Sequence, residues 1–182
     1  MSLNNNTAHP YTQLLLEIRN FLIPQATLSG TPVEDISANP NANIGLVNTV
    51  TTGDIFEIDL DKMTLFPLAH IVVNNVSVNN HHYVFNISVL FMDVVDIIKN
   101  KTHKDSFMGN TNEQDILNEM LYTGTRLTES FRRGKLFLNR IKLVEDSLVL
   151  CEPFYEKSEN MLAGWSFTYD IEMRNNIQSD LC

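Results

Sequence analysis

The chain has 182 residues, 43% of them apolar and 19% charged, which suits one domain with a core that needs neither disulfides nor metal. Thirteen basic residues against 22 acidic ones leave a formal charge of −9, which disfavours a protein that grips or reads nucleic acid. The polar N-terminus and the lack of any run near 18 apolar residues predict a soluble, intracellular chain that spans no membrane.

Tyr11 to Ile23 reads as an amphipathic helix, with Leu14, Leu15, Ile18, Phe21 and Leu22 at helical spacing and Pro24 as its stop. Residues 1–10 form an N-terminal arm. Residues 25–53, rich in Asn, Gly and Pro, predict a long loop without periodicity, of a length usually tied to function or contact. Phe56, Ile58 and Leu60 alternate with Glu57, Asp59 and Asp61, the pattern of a half-buried strand. Two strands follow, Leu65 to Val78 and His82 to Val95, joined by a tight turn at Asn79-Asn80, where asparagine tolerates positive φ.

After a polar connection (99–111), Asn112 caps a helix running to about Phe131. Its core stripe is Ile116, Leu117, Met120, Leu121, Leu127 and Phe131, and Gly134 is its stop. Ser147 to Phe154 and Gly164 to Met173 complete the set. In the last, Trp165, Phe167, Tyr169, Ile171 and Met173 occupy one face and require a covering layer. The expectation is an α+β fold: an antiparallel or mixed sheet of about five strands with two main helices packed on it.

Charge is uneven along the chain. Lys99, Lys101 and Lys104 form one basic patch; Arg126, Arg132, Arg133, Lys135, Arg140 and Lys142 form another, with Glu129 as its only opposing charge. Acidic residues gather at Asp54, Glu57, Asp59 and Asp61, and again at Glu145, Asp146, Glu152, Glu156 and Glu159. Such runs are normally solvated faces. The sharper reading is complementary patches on opposite sides of one subunit, joined by the polar loop around Asn39, Asn41 and Asn43 as a contact element.

Signals for chemistry are weak. No H-x-x-x-H or C-x-x-C pattern occurs, and Cys151 and Cys182 have neither metal nor redox spacing. Asp93 and Asp96 can be read as paired carboxylates, but acidic residues at strand ends are commonplace. There is no nucleophile elbow and no phosphate loop; Gly124-Thr125 falls inside a helix without the required lysine. The Trp165, Phe167 and Tyr169 series could stack bases, but at strand spacing it reads as core. No catalytic residue, cofactor or metal is expected.

The order of the pieces resembles a family. A segment Phe66-Pro67-Leu68-Ala69-His70-Ile71-Val72-Val73 leads to a strand that closes on an aspartate, Phe85 to Asp93; a long helix carries Asp115-Ile116-Leu117-Asn118; and Asn160-Met161-Leu162-Ala163-Gly164-Trp165-Ser166-Phe167 opens the last strand. This layout is similar to small neck, ring and tail-terminator-like proteins of tailed bacteriophages, in particular those of crAss-like phages. The resemblance implies a structural virion protein assembled in the host cytoplasm. It would form a homo-oligomeric ring in the head-to-tail connector, joining portal and tail proteins, with DNA only in transit through the lumen. The family brings no catalytic residues. Two other classes fit the composition: a ligand- or peptide-binding module using a sheet face or edge, and a small enzyme with a scattered site around His70, His82 and Asp96.

Overall fold

A computed structural model describes residues 9–23, 46–55, 58, 63–96, 112–133, 141–155 and 161–174. Helix α1 (Pro10–Leu22) begins with proline at its first position, where the missing N–H costs no hydrogen bond. It ends at Ile23, whose ψ of 132° is the extended geometry that a following proline imposes. Strands β1 (Thr49–Thr52), β2 (Leu68–Val78) and β3 (His82–Val94) come next. Helix α2 (Glu113–Arg132), two short strands β4 (Ile141–Leu143) and β5 (Leu150–Tyr155), and β6 (Leu162–Arg174) complete the described chain.

The fold is α+β, with a mixed six-stranded sheet and two helices. The order runs β1-β2-β3-β6-β4, and β5 joins β6 on the same side as β4. Among the described strands only the β1–β2 pair is parallel. β3 and β6 sit at the centre and pair over thirteen positions, from His82–Arg174 to Val94–Leu162.

Both helices cover one face. Leu14, Ile18 and Leu22 of α1 join Ile116, Met120, Leu127 and Phe131 of α2 above Phe85, Ile87, Val89 and Phe91 of β3 and Phe167, Tyr169, Ile171 and Met173 of β6. Each such side chain, fully buried, contributes roughly 1.5–3 kcal/mol. The rings meet edge-on or stacked: Phe91 to Phe167 at 5.7 Å, Phe167 to Tyr169 at 6.1 Å, and Tyr169 to Phe131 at 5.3 Å between centroids. α2 is fastened to this ladder by polar contacts as well. The Trp165 indole donates to the Leu117 carbonyl at 2.9 Å, and the Tyr169 hydroxyl donates to the Gly124 carbonyl at 3.3 Å. Gly124 is the contact point: a Cβ there would stand 2.2 Å from the Phe167 ring.

A smaller cluster lies at one end of the opposite face. Phe66, Leu68, Met92 and Leu162 are buried there, with Ile55, Ile58, Leu65 and Phe154 packed on them.

The alternation expected to form a strand from Phe56 to Asp61 lies outside the described residues except for Ile58, whose amide donates to the Ile55 carbonyl; both isoleucines pack on the smaller cluster. Three expectations change. The end of the expected 25–53 loop contains β1, a β-branched run (Thr49, Val50, Thr51, Thr52) too short to show periodicity. Leu121 is exposed, because Gly124 and Thr128 hold the helix against the ladder on the neighbouring stripe. Neither Asn79 nor Asn80 takes positive φ; the turn is closed by the Asn79 amide donating to the His82 carbonyl. Residues 1–8, 24–45, 56–57, 59–62, 97–111, 134–140, 156–160 and 175–182 lie outside the described residues, most of the expected N-terminal arm and Pro24, Gly134 and Arg140 among them.

Gly124→Ala should destabilise the protein by about 1–3 kcal/mol, overpacking outweighing the roughly 1 kcal/mol that alanine gains in a helix. In a Phe167→Leu background most of that penalty should vanish. Urea midpoints of the double-mutant cycle measure the coupling, and additive losses would contradict a direct Gly124–Phe167 contact.

Candidate functional site

The face of the sheet away from the helices divides in two. Its covered end is the Phe66–Leu68–Met92–Leu162 cluster. The remainder carries a polar row across three strands. Asn74 Nδ2 donates to Asn86 Oδ1 at 2.8 Å and to Ser88 Oγ at 2.9 Å; Asn86 Nδ2 donates to Asp170 Oδ1 at 2.7 Å; Ser88 and Thr168 hydroxyls lie 3.2 Å apart. Further along, Glu172 faces Lys142 at 3.9 Å and His82 at 4.0 Å. These groups occupy one another, so the row tiles a surface more than it opens a site.

The row depends on a register shift in β2 between Val73 and Asn75. Up to Val73, even-numbered residues share this open face; beyond the shift, Asn75 pairs with Asn86 and Ser77 with Val84, while Val76 and Val78 pair with Phe85 and Tyr83 on the helix-side face. One extra residue therefore keeps asparagine and serine with the polar row and sends both valines to the apolar side. The helices do not reach them: Val76 is 42% and Val78 65% exposed.

The outer edge of β2 is the other distinctive feature. β1 ends opposite Ile71, so among the described residues Val72–Val78 has no strand on that side. Proteins usually blunt such an edge with charge or proline. Here residues 63–92 contain no Asp, Glu, Lys or Arg, and no proline follows Pro67 within that run. The far edge is different. β5 carries Glu152 and Pro153, and proline removes a backbone donor there.

The sequence-predicted contact residues fare unevenly. Lys99, Lys101, Lys104, Lys135, Asp59, Glu156, Glu159, Asn39, Asn41 and Asn43 lie outside the described residues. Arg132 and Arg133 both pair with Glu129 along their own helix, at 3.3 and 3.4 Å, and Arg126 stacks over Tyr122 with its guanidinium 5.9 Å from the ring centroid. That stretch of the basic patch is thus partly neutralised from within. Arg132 and Lys142 border a shallow depression of about 290 Å³ with Glu145, Asp146 and Ser147. Asp54 sits near His70, whose imidazole feels its charge.

The histidine constellation comes apart. The hairpin sets His70 opposite Leu90, eight positions along β3 from His82, which is roughly 26 Å at ~3.3 Å per residue. The register thus brings His70 toward Asp93 and away from His82, opposite to what the turn position suggests at first sight. His70 is fully buried and shares a 2.9 Å hydrogen bond with the Thr51 hydroxyl through Nδ1. Burial pushes its pKa down, against the Gly53 carbonyl and Asp54, which favour the cation. Burial raises the pKa of Asp93, the Val94 amide that donates to the Asp93 carboxylate at 2.8 Å partly offsets this, and Asp96 raises it further. Asn112 does not cap α2 with its side chain; its Oδ1 accepts the Asp96 amide at 2.7 Å and ties the end of β3 to the start of the helix. No group of three or more metal-ligating side chains occurs among the described residues, and no described helix is long and apolar enough to cross a membrane.

Because the folded pKa of His70 lies below its unfolded value near 6.5, the unfolded chain binds the extra proton first. The stability that His70 allows is complete above that pH and falls as pH drops below it, by up to about 1.4 kcal/mol per pH unit. Urea midpoints between pH 7.5 and 5 should therefore fall more steeply for the natural chain than for His70→Gln; parallel slopes would contradict this. The sequence matches no protein-family model, and no curated protein sequence matches it either.

Proposed function

We propose that this chain is a non-catalytic structural subunit that assembles with copies of itself and adjoining proteins. We read the assembly as a ring of the kind found in the connector, neck or tail of tailed bacteriophages. The observation that carries the reading is the outer edge of β2: an exposed strand edge, free of charge and proline, in a chain whose formal charge is −9. An edge of that kind is a template for another strand, and soluble proteins that stay single usually disarm it.

Packing supports the same reading. The large aromatic residues of β6 are spent on the core beneath α2 and not on lining a cleft. The side chains of the polar row on the open face hydrogen-bond to one another. The layout of elements resembles that of phage ring proteins, and a net acidic subunit suits a channel wall that lets DNA slide past without holding it. Portal and tail components are the partners this reading names, and DNA is a passenger.

Native mass spectrometry of the purified protein between about 1 and 100 μM, alone and with co-expressed products of adjacent genes, tests it. The expected result is a discrete multi-subunit species that gains defined partners. A monomer at every concentration, alone and in the mixture, would contradict it.

A further inference from the structure

The register of β2 says how two copies meet. We infer that β2 pairs antiparallel with β2 of a second copy, about a twofold axis at Ser77, so that Val76 of each copy lies against Val78 of the other. The inference rests on the assembly reading above and adds its contact.

The argument starts from the backbone. Beyond Ile71 the outer N–H and C=O groups of β2 face no strand among the described residues, and only another extended segment satisfies such a row. Residues 74–80 are all exposed. An antiparallel edge is complementary to itself, since each residue that offers a donor and an acceptor meets its own kind after a twofold rotation.

The shift between Val73 and Asn75 then selects the register. A twofold axis perpendicular to the sheet keeps helix-side residues with helix-side residues, so a regular pairing must use the stretch on one side of the shift. Centring on Ser77 sets Val76 against Val78 twice on the helix side. On the open side it sets Asn75 against Asn79 twice and Ser77 against Ser77. Four exposed valines lose water, and the amide and hydroxyl side chains opposite one another each carry both donor and acceptor.

Electrostatics favours the same occupant. Two subunits of formal charge −9 repel at most surfaces, but residues 63–92 bring no Asp, Glu, Lys or Arg to the joint. The opposite sheet edge is a poorer mate, because Pro153 interrupts the donors of β5 and Glu152 adds charge. Joined in this way, the two sheets run on as one, and larger closed assemblies contain an even number of copies.

Disulfide trapping tests the register in a chain with Cys151→Ser and Cys182→Ser. Ser77→Cys should form a self-linked dimer under mild oxidation, a mixture of Val76→Cys and Val78→Cys chains should form the mixed dimer, and Val73→Cys should stay unlinked. In parallel, the Val76→Lys/Val78→Lys variant should raise the dissociation constant at least tenfold with an unchanged circular-dichroism spectrum. Ser77→Lys, which touches no core residue, should do the same if the double variant folds poorly. Oligomers that persist in both lysine variants, with Ser77→Cys unlinked, overturn this pairing and leave the assembly reading standing. A natural chain that stays monomeric at all concentrations overturns both.

Discussion

Everything in this structure hangs on the contact between α2 and the aromatic ladder of β6. Phe167 sits in the space that Gly124 leaves open, Tyr169 bonds to the carbonyl of that same glycine, and Trp165 holds Leu117 one helical stretch earlier. Three large rings at alternate positions of one strand thus fix the height, rotation and slide of a twenty-residue helix. Thr128 completes the joint, donating to the Gly124 carbonyl at 2.8 Å and lying 3.3 Å from the Tyr169 hydroxyl. The helices cover one face, and among the described residues the other is covered only at its apolar end.

The second face divides in two. Its apolar end is closed by Ile55, Ile58 and Leu65, packed on the cluster of Phe66, Leu68, Met92 and Leu162. The other end stays open because it is polar and self-satisfied, from Asn74 through Asn86 to Asp170. The single shift in β2 serves both purposes. It keeps asparagine and serine on the polar side and displaces Val76 and Val78 to where no helix reaches them. These two valines lie exposed beside a strand edge that has no partner strand among the described residues, and that juxtaposition is the physical ground for reading the chain as a subunit.

Much of the fold was legible because period and burial agree. The five large residues from Trp165 to Met173 announce a one-sided strand, the stripe through Ile116 and Phe131 announces its cover, and Pro24 explains the extended backbone at Ile23. What escaped is what periodicity does not encode. β1 and β4 are too short to repeat anything. Local sequence also says nothing of pairing register, so the separation of His70 from His82 and the shift after Val73 emerge only in three dimensions. For the surface, charged residues drew the eye, yet Arg132 and Arg133 spend their charge on Glu129. The better clue was a lack of charge, thirty residues from Met63 to Met92 without an Asp, Glu, Lys or Arg.

Amide hydrogen exchange across Asn75–Val78, followed as protein concentration rises, tests the central claim most directly. If this edge joins copies, amides there that β3 does not already bond should slow in step with oligomer formation, while those of α2 keep a constant rate. Exchange at this edge that stays fast and independent of concentration, while the particle grows, would mean that the subunits meet elsewhere.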